Sequence, residues 1–338
     1  MSSSTGRRRP LGVIAAVAVA GAAVYMRTEP PASRPRLDLI GAVLASAGLF
    51  FLVFGFSRAE IAGWTATQTI ASLAAGVVLI AAFVLAEGRV AHPLLPLRVV
   101  THRTRGGAYV SVGLTGIAIF GVFLFLTYYL QLIKGYSPVT SGLAFLPMIA
   151  CILFASNLSS IVTLPRFGPR ALITTGMLLG GAAMAYLTQI SVTTSYATGV
   201  LPALMVAGLG FGSIFAPAIN TATTGVAREH SGVASALVNT GQQVGGSIGT
   251  ALLSTIALTA TSGYLALHHA GQQAVAVAAV HGYTIAFAVS AALFGLGAIL
   301  AVTLLPSRRR LAELRAASQE VAASNPALVP EPAPAELA

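Results

Sequence analysis

The feature that most constrains this chain is a series of long apolar segments separated by short polar breaks. A helix of about 20 residues crosses a bilayer core about 30 Å thick, and eight segments of the chain reach that length with few charges. They lie near residues 37–56, 66–86, 107–132, 139–164, 171–190, 196–226, 232–261 and 281–305. None shows the alternation of an outer-membrane strand, and little besides helices satisfies its backbone in lipid. The sequence therefore predicts an all-α polytopic membrane protein.

Composition supports this prediction and excludes other classes. Apolar residues occupy 56% of the 338 positions and charged residues 8%. The resulting mean hydropathy is higher than a soluble domain of this size needs to form its core. The net charge of +10 comes from short basic clusters between apolar segments, where basic residues set membrane orientation, so no nucleic-acid partner is expected. Cys151 is the single cysteine, which excludes a disulfide or a thiolate metal site within one chain. We expect neither a metal nor a cofactor.

The two ends of the chain differ from these segments. A shorter apolar run at 10–26 follows three arginines, and its length suits either a partial span or a signal peptide. Residues 307–338 are rich in Ala, Pro and Glu and are predicted to be a disordered tail. The predicted divisions are an N-terminal segment (1–36), two linker helices with their connector (37–105), a six-helix unit (106–306) and the tail (307–338).

Basic residues predict the orientation of the spans. If one side of the membrane holds residues 27–36, 87–105, 165–170, 227–231 and the tail, it carries fourteen arginines, against Arg58 and Lys134 on the other side. The positive-inside rule then places the C-terminus in the cytoplasm of a multi-pass plasma-membrane protein. The fourteen are Arg27, Arg34, Arg36, Arg89, Arg98, Arg103, Arg105, Arg166, Arg170, Arg228, Arg308, Arg309, Arg310 and Arg315. Arg7, Arg8 and Arg9 conflict with this orientation if the run at 10–26 spans.

Two connections are predicted on the outer side. In the hairpin at 128–147, Gly135 ends one span and Ser137-Pro138 open the next, because serine caps a helix and proline fits its first turn. Residues 262–280 are predicted to be the longest outer loop. A histidine pair in this loop, His268-His269, is interpreted as solvated rather than as a metal site.

Glycines inside the spans predict close helix contacts. Gly241, Gly245 and Gly249 recur every four residues and form one bare stripe, and Gly208 and Gly212 repeat the spacing. Such stripes let another backbone approach closely in lipid. Faces of this kind can also slide past one another when helices move.

Amide side chains inside the spans are a second group of candidates. Asn239 and Gln243 are four residues apart and share a helix face, and Asn220 lies near the end of another span. An amide in lipid needs a partner or water. Structural hydrogen bonds between helices and the lining of a cavity are both consistent with these positions.

Four stretches resemble the major facilitator superfamily, specifically its fourteen-helix drug:proton antiporters. They are His-Pro-Leu-Leu-Pro-Leu-Arg at 92–98, the hairpin at 128–147, Leu-Pro-Arg-Phe-Gly-Pro-Arg at 164–170, and the run from Ser231 to Gly246. Singly they are weak, but in this order and spacing they are specific. That family has six helices, two linker helices and six more. The resemblance implies that 107–305 corresponds to the second six, 37–86 to the linker pair and 10–26 to the end of the sixth, with the first five missing.

The resemblance also implies a function and a set of site residues. It implies export of lipophilic drugs or metabolites by proton antiport in the complete protein, through a cavity lined by the 107 and 196 helices. The cavity candidates are Phe120, Phe123, Tyr128, Tyr129, Gln131, Met205, Asn220, Asn239 and Gln243. Aromatic residues at helical spacing equally suit lipid-facing or core positions.

A cytoplasmic gating loop is the second implied site. It contains Arg166, Gly168 and Arg170. The loop lacks the acidic residue common in the family's first-half version, which weakens a gating role. Anchoring by positive charge alone is the alternative.

This chain alone is not expected to couple export to protons. A proton-driven exporter needs an ionisable group inside the bilayer. Between Arg105 and Arg308 the charged residues are Lys134, Arg166, Arg170, Arg228 and Glu229, all predicted in loops. His281 is predicted at the outer end of its helix. The alternative function is a non-transporting membrane fragment or subunit that needs a second half or a homodimer partner, and no catalytic motif supports an enzyme.

Overall fold

The computed structural model describes residues 38–90, 103–223, 231–267 and 271–307. These ranges contain no strand, and seven helical stretches in them are long and apolar enough to cross a membrane. The prediction of an all-α polytopic membrane protein is confirmed. Several predictions lie outside the described residues. They concern the run at 10–26 and its arginines, the 92–98 motif, Arg228, the pair His268 and His269, and the tail from 308 onward.

Nine α-helices make up the described part of the chain. They are α1 (Leu39–Ala62), α2 (Thr67–Glu87), α3 (Arg103–Tyr128), α4 (Pro138–Ala144), α5 (Leu146–Leu158), α6 (Leu164–Leu187), α7 (Leu201–Thr223), α8 (Ser231–Leu267) and α9 (Gln272–Leu304). Wider π-helical turns follow α3 and α5 and precede α7, at Tyr129–Ile133, Ser159–Thr163 and Tyr196–Val200. Each π-turn lies where a long helix begins, ends or changes direction.

Local sequence explains where the hairpin after α3 turns. Gly135 has a φ of 68°, a left-handed conformation that glycine adopts without strain. The Ser137 hydroxyl then accepts a hydrogen bond from the Thr140 amide at 3.2 Å, and Pro138 occupies the first helical turn of α4. The turn therefore lies at the position predicted from the sequence.

A single glycine separates two predicted spans that are otherwise continuous. Residues Pro138–Leu187 form one apolar stretch of 50 residues, which contains the 139–164 prediction and most of the 171–190 prediction. Gly168 breaks it, with φ 78° and ψ 167°, and Pro169 follows inside α6. The predicted loop at 165–170 is therefore a sharp break at one residue, and the seven stretches overlap all eight predicted spans.

The prediction of a long outer loop at 262–280 is wrong. Helix α8 continues to Leu267 and α9 begins at Gln272, so most of this range is helical. Ala, Leu and Gln are strong helix formers, and α8 with its 37 residues is about 55 Å long, well beyond the bilayer core. Polar residues there do not end the helix. His281 consequently lies more than two turns inside α9, with its ring 5.1 Å from that of Tyr264.

Helix α3 lies at the centre of the bundle. It packs against α7, α8 and α9, while α7 also packs against α5 and α6, and α9 against α6 and α8. Aromatic pairs fill the core, with Phe211 and Phe294 at 5.9 Å and Phe125 and Phe287 at 6.2 Å between ring centroids. All described helices belong to one compact unit.

The hairpin of α1 and α2 packs through a seven-residue repeat. A β-carbon added at each of three glycines of α1 would meet one side chain of α2: Glu87 at Gly41, Ile80 at Gly48 and Leu73 at Gly55. Both sets recur every seven residues, the period that keeps two helices in contact along a left-handed crossing. At each of these positions a side chain of α2 lies against a glycine of α1, so the two helices approach closely along their length.

A hydrogen bond attaches this hairpin to the bundle. The Trp64 indole, between α1 and α2, donates to the Thr255 hydroxyl of α8 at 2.8 Å. The Phe56 ring of α1 lies 6.1 Å from the same indole, and α1 is the hairpin helix that packs on α8. The hairpin is thus attached to α8 at its turn, where Trp64 lies.

The predicted glycine stripe of α8 lies against the backbone of α3. A β-carbon at Gly245 would collide with the Gly113 carbonyl, and one at Gly249 would lie 2.6 Å from the Ile117 α-carbon. Gly241 is looser, at 3.6 Å from the Tyr109 carbonyl. The stripe is therefore a backbone-to-backbone contact at the centre of the bundle.

The second glycine pair makes the same kind of contact elsewhere. A β-carbon at Gly208 or Gly212 of α7 would collide with the carbonyls of Met148 and Ile152 in α5. Helices α3 and α8, and α5 and α7, therefore meet where no side chain intervenes.

We expect Gly245→Ala to destabilise the bundle by about 1–3 kcal/mol, since its methyl group must displace main chain rather than a flexible side chain. The matched control is Gly295→Ala in α9, where nothing lies within 4 Å of the added β-carbon. That change should stabilise by about 0.5–1 kcal/mol through helix propensity. Thermal unfolding in detergent measures both. Equal midpoints for the two variants would contradict the contact.

Candidate functional site

The candidate substrate surface begins where Phe120 of α3 meets α8. A β-carbon added at Gly246 would lie 2.5 Å from the Phe120 ring, so the ring covers that glycine. Gln243 and Asn239 precede Gly246 by one and two helical turns and therefore share its side of α8. Both amides are exposed, and Phe120 is 38% exposed. The structure thus brings together an aromatic ring and two amides that the sequence predicted separately.

The hydrogen bonds of these amides are weak or lacking within the described residues. Asn239 donates to the Ser235 carbonyl of its own helix at 3.5 Å, the limit of a useful hydrogen bond. The side-chain amide of Gln243 has no hydrogen-bond partner in the described ranges. Only its main-chain carbonyl accepts a hydrogen bond, from the Ser247 hydroxyl at 3.1 Å. Most of the donor and acceptor capacity of both amides therefore faces outward from the bundle.

Phe123 extends this surface towards α5. Its ring lies 4.8 Å from that of Phe145, at an interplanar angle of 33°, and Phe145 immediately precedes α5. Phe123 is 36% exposed whereas Phe145 is buried. Phe120 and Phe123 thus form an exposed aromatic strip on α3, supported by a glycine on one side and a buried ring on the other.

Tyr129 does not belong to this surface. It was predicted to line the cavity together with Tyr128, but it is fully buried and its hydroxyl donates to the carbonyls of Ser191 and Thr194 at 2.8 and 3.2 Å. Neighbouring residues on a helix point about 100° apart, so the two tyrosines face different surroundings. Tyr128 is the exposed one, 6.5 Å from the ring of Tyr283. Gln131 is half-buried in the π-turn.

The two α7 candidates lie far apart. Met205 and Asn220 are both exposed, and their separation of 15 residues corresponds to about 22 Å along a helix. One drug-sized ligand does not contact both. Met205 and Asn220 therefore do not belong to one pocket.

The predicted gating loop is a glycine break flanked by two cations. Gly168 is buried, Arg166 is exposed and Arg170 is half-buried. Neither guanidinium forms an ion pair with a described residue. The left-handed conformation of Gly168 fixes the angle between the segments that carry the two arginines.

Sequence analysis missed a pair of carboxylates at the end of the α1–α2 hairpin. Asp38 caps α1 by accepting from the Gly41 amide at 2.8 Å, and Glu87 is buried at 4% exposure at the end of α2. The added β-carbon of Gly41 would contact both carboxylates. The seven-residue spacing of Leu73, Ile80 and Glu87 was the available signal. The described residues contain no group of three or more ligands able to hold a metal.

Replacing Gly168 with alanine should cost about 1–3 kcal/mol, because its dihedral angles are essentially restricted to glycine. The control is Gly142→Ala in α4, where an added β-carbon meets nothing within 4 Å and φ is not positive. Thermal unfolding of the two variants compares them directly. A Gly168→Ala protein as stable as the control would show that the break is not strained.

These features define a polytopic helical membrane protein with an exposed aromatic and amide surface. The sequence signature of the Major Facilitator Superfamily matches residues 11–250, and the chain belongs to that family.

Three relatives illustrate the similarity. The puromycin resistance protein of Streptomyces alboniger is 44% identical over 302 residues, which cover 89% of this chain and 60% of the relative. The cephamycin export protein of Amycolatopsis lactamdurans is 35% identical over 69% of this chain and 48% of its own length. The tetracenomycin C resistance and export protein of Streptomyces glaucescens is 32% identical over 73% and 45%. The chain thus spans about half to three-fifths of these relatives.

Proposed function

We propose that this chain forms the linker pair and the second six helices of a fourteen-helix exporter of lipophilic drugs or metabolites. The names of the three relatives, which concern resistance to or export of antibiotics, support export as the activity. The distribution of arginines supports a plasma-membrane location with the Lys134 end outside and the C-terminus in the cytoplasm.

The observation that carries this proposal is the surface around Phe120. A partly exposed ring beside two outward-facing amides suits a flat aromatic molecule with a few polar groups, because the ring stacks and the amides supply donors and acceptors. Within the described ranges, α3 to α9 contain no Asp or Glu. Recognition on this surface therefore relies on stacking and neutral hydrogen bonds.

We expect Phe120→Ala to weaken binding of puromycin to the purified chain in nanodiscs by about ten-fold, since an aromatic contact contributes roughly 0.5–1.5 kcal/mol beyond its buried area. Gln243→Ala should also weaken it. The matched control is Phe50→Ala, an exposed ring on α1 that stacks on Phe54 at 5.8 Å. Equilibrium binding of radiolabelled puromycin measures all three. The same affinity in Phe120→Ala and Phe50→Ala would remove the proposed site.

The Gly168 break is proposed to act as a cytoplasmic gate. Arg166 and Arg170 have no acidic partner among the described residues, so carboxylates of another bundle can pair with them when that side closes. Gly168 holds the two guanidinium groups in a fixed relation on either side of a sharp turn.

The second candidate function is a membrane subunit that does not transport by itself. The exposed Asn239 and Gln243 favour it, because amides without partners are costly in lipid. A second transporter half or a second copy of this chain would cover them. The proton antiport proposed for a complete transporter then depends on groups that the partner supplies.

We expect the 338-residue chain, reconstituted alone in liposomes, to show no uptake of a fluorescent lipophilic cation driven by a pH gradient. The reason is that proton coupling needs a group that changes protonation inside the bilayer. Empty liposomes are the baseline, and an uncoupler is the control for gradient dependence. Accumulation above the baseline that the uncoupler abolishes would contradict this expectation.

A further inference from the structure

Four side chains at the Lys134 end donate hydrogen bonds to main-chain carbonyls of other segments. The contacts are Lys134 Nζ to Val192 O at 2.8 Å, Tyr129 Oη to Ser191 O at 2.8 Å and to Thr194 O at 3.2 Å, Tyr186 Oη to Thr198 O at 2.8 Å, and Tyr196 Oη to Ala144 O at 2.7 Å. Together they join the ends of α3, α4, α6 and α7 with the turn at 188–195. Most side-chain hydrogen bonds in the rest of the described chain stay within one helix turn.

Two of the acceptors are carbonyls that the local helix does not satisfy in the usual way. Pro202 lacks an N–H, so it cannot donate to the Thr198 carbonyl four residues before it, and Tyr186 donates instead. Helix α4 ends at Ala144, whose carbonyl belongs to the last turn, and Tyr196 donates to it. The tyrosines therefore occupy positions that the backbone breaks create.

Lys134 and Tyr129 hold the turn at 188–195 together. Lys134 is the only lysine in the 338 residues, and its ammonium lies 5.6 Å from the centre of the Tyr129 ring. An ammonium donates a stronger, charge-assisted hydrogen bond and is also attracted to an aromatic face. Tyr129 lies in the π-turn after α3, and Lys134 directly follows that turn. Their acceptors lie within four residues of one another. The turn also closes on itself, since the Ser191 amide donates to Thr194 Oγ1 at 2.9 Å.

We propose that Lys134, Tyr129, Tyr186 and Tyr196 form a clamp that makes this end of α3, α4, α6 and α7 move as one unit. Lys134 and Tyr129 are the releasable members, because their acceptors lie on a turn rather than in a helix. The breaks at Gly168 and at the π-turn Ser159–Thr163 lie at the opposite ends of α5 and α6. Bending within the bundle therefore takes place at that opposite end while the clamp holds.

The test measures exposure of the turn through a single thiol. In a Cys151→Ala background, Val192→Cys places a thiol on a half-buried side chain and leaves the Val192 carbonyl, the acceptor of Lys134, unchanged. Adding Lys134→Met should raise the rate of maleimide labelling in detergent by about ten-fold, the effect of removing one charge-assisted hydrogen bond on a local opening equilibrium. Lys134→Arg, which keeps a cationic donor, should restore most of the protection.

Two controls separate the clamp from general loosening. Tyr129→Phe should raise labelling at position 192, whereas Tyr128→Phe, which changes the neighbouring exposed hydroxyl, should not. In parallel, native Cys151 without the engineered thiol should label at the same rate in the Lys134→Met and unmodified proteins. Unchanged labelling at position 192 in both Lys134→Met and Tyr129→Phe would overturn the proposal. An equal increase at Cys151 would also overturn it, because the whole bundle would then have loosened.

Discussion

The structure depends on one constraint, which is that a main-chain amide or carbonyl in lipid must find a partner inside the protein. Long helices meet it without help, and the informative places are the breaks. Thr69 Oγ1 donates to the Gly63 carbonyl at 3.0 Å where α1 ends, and Tyr186 supplies the donor that Pro202 lacks. In the described part of the chain, the side chains that donate a hydrogen bond to another segment therefore lie where helices begin, end or bend. Their positions follow from the backbone before any function is considered.

Within the helices, close contact at glycines is what joins one helix to another. Apolar side chains are about as stable in lipid as inside the protein, so the hydrophobic effect does not bring helices together. The helices associate through close backbone contact instead. Gly245 against Gly113 and Gly212 against Ile152 bring paired helices together without intervening side chains. Phe120 lies on the same face of α3 as Gly113 and Ile117, with its ring over Gly246 of α8, and remains 38% exposed. Packing thereby determines which aromatic residues are available to a ligand.

The number and position of the helices could be predicted because the length of an apolar run is set by the bilayer. The extent of α8 and α9 could not, since the alanine-rich segment 274–280 is helical although the sequence analysis placed it in a loop. The amide pair Asn239 and Gln243 followed from a four-residue spacing, but the exposure of Tyr128 and burial of Tyr129 depend on the rotation of α3 about its axis. That rotation is fixed by tertiary contacts. The repeat that places Glu87 beside Gly41 was visible in the sequence and needed only a test for a seven-residue period.

Charged side chains are unevenly distributed among the described helices. Two carboxylates have described side chains, Asp38 and Glu87, and both lie at the end of the α1–α2 hairpin. The described parts of α3 to α9 contain aromatic rings, amides and glycines but no carboxylate. A proton gradient acts on a protein only through groups whose protonation differs between its states. The described parts of α3 to α9 contain no carboxylate, so a carboxylate that coupled a proton gradient to them would lie outside these helices and act on them through movement. A rigid end held by side-chain hydrogen bonds and a single glycine break at the other end are the elements through which such a movement can be transmitted.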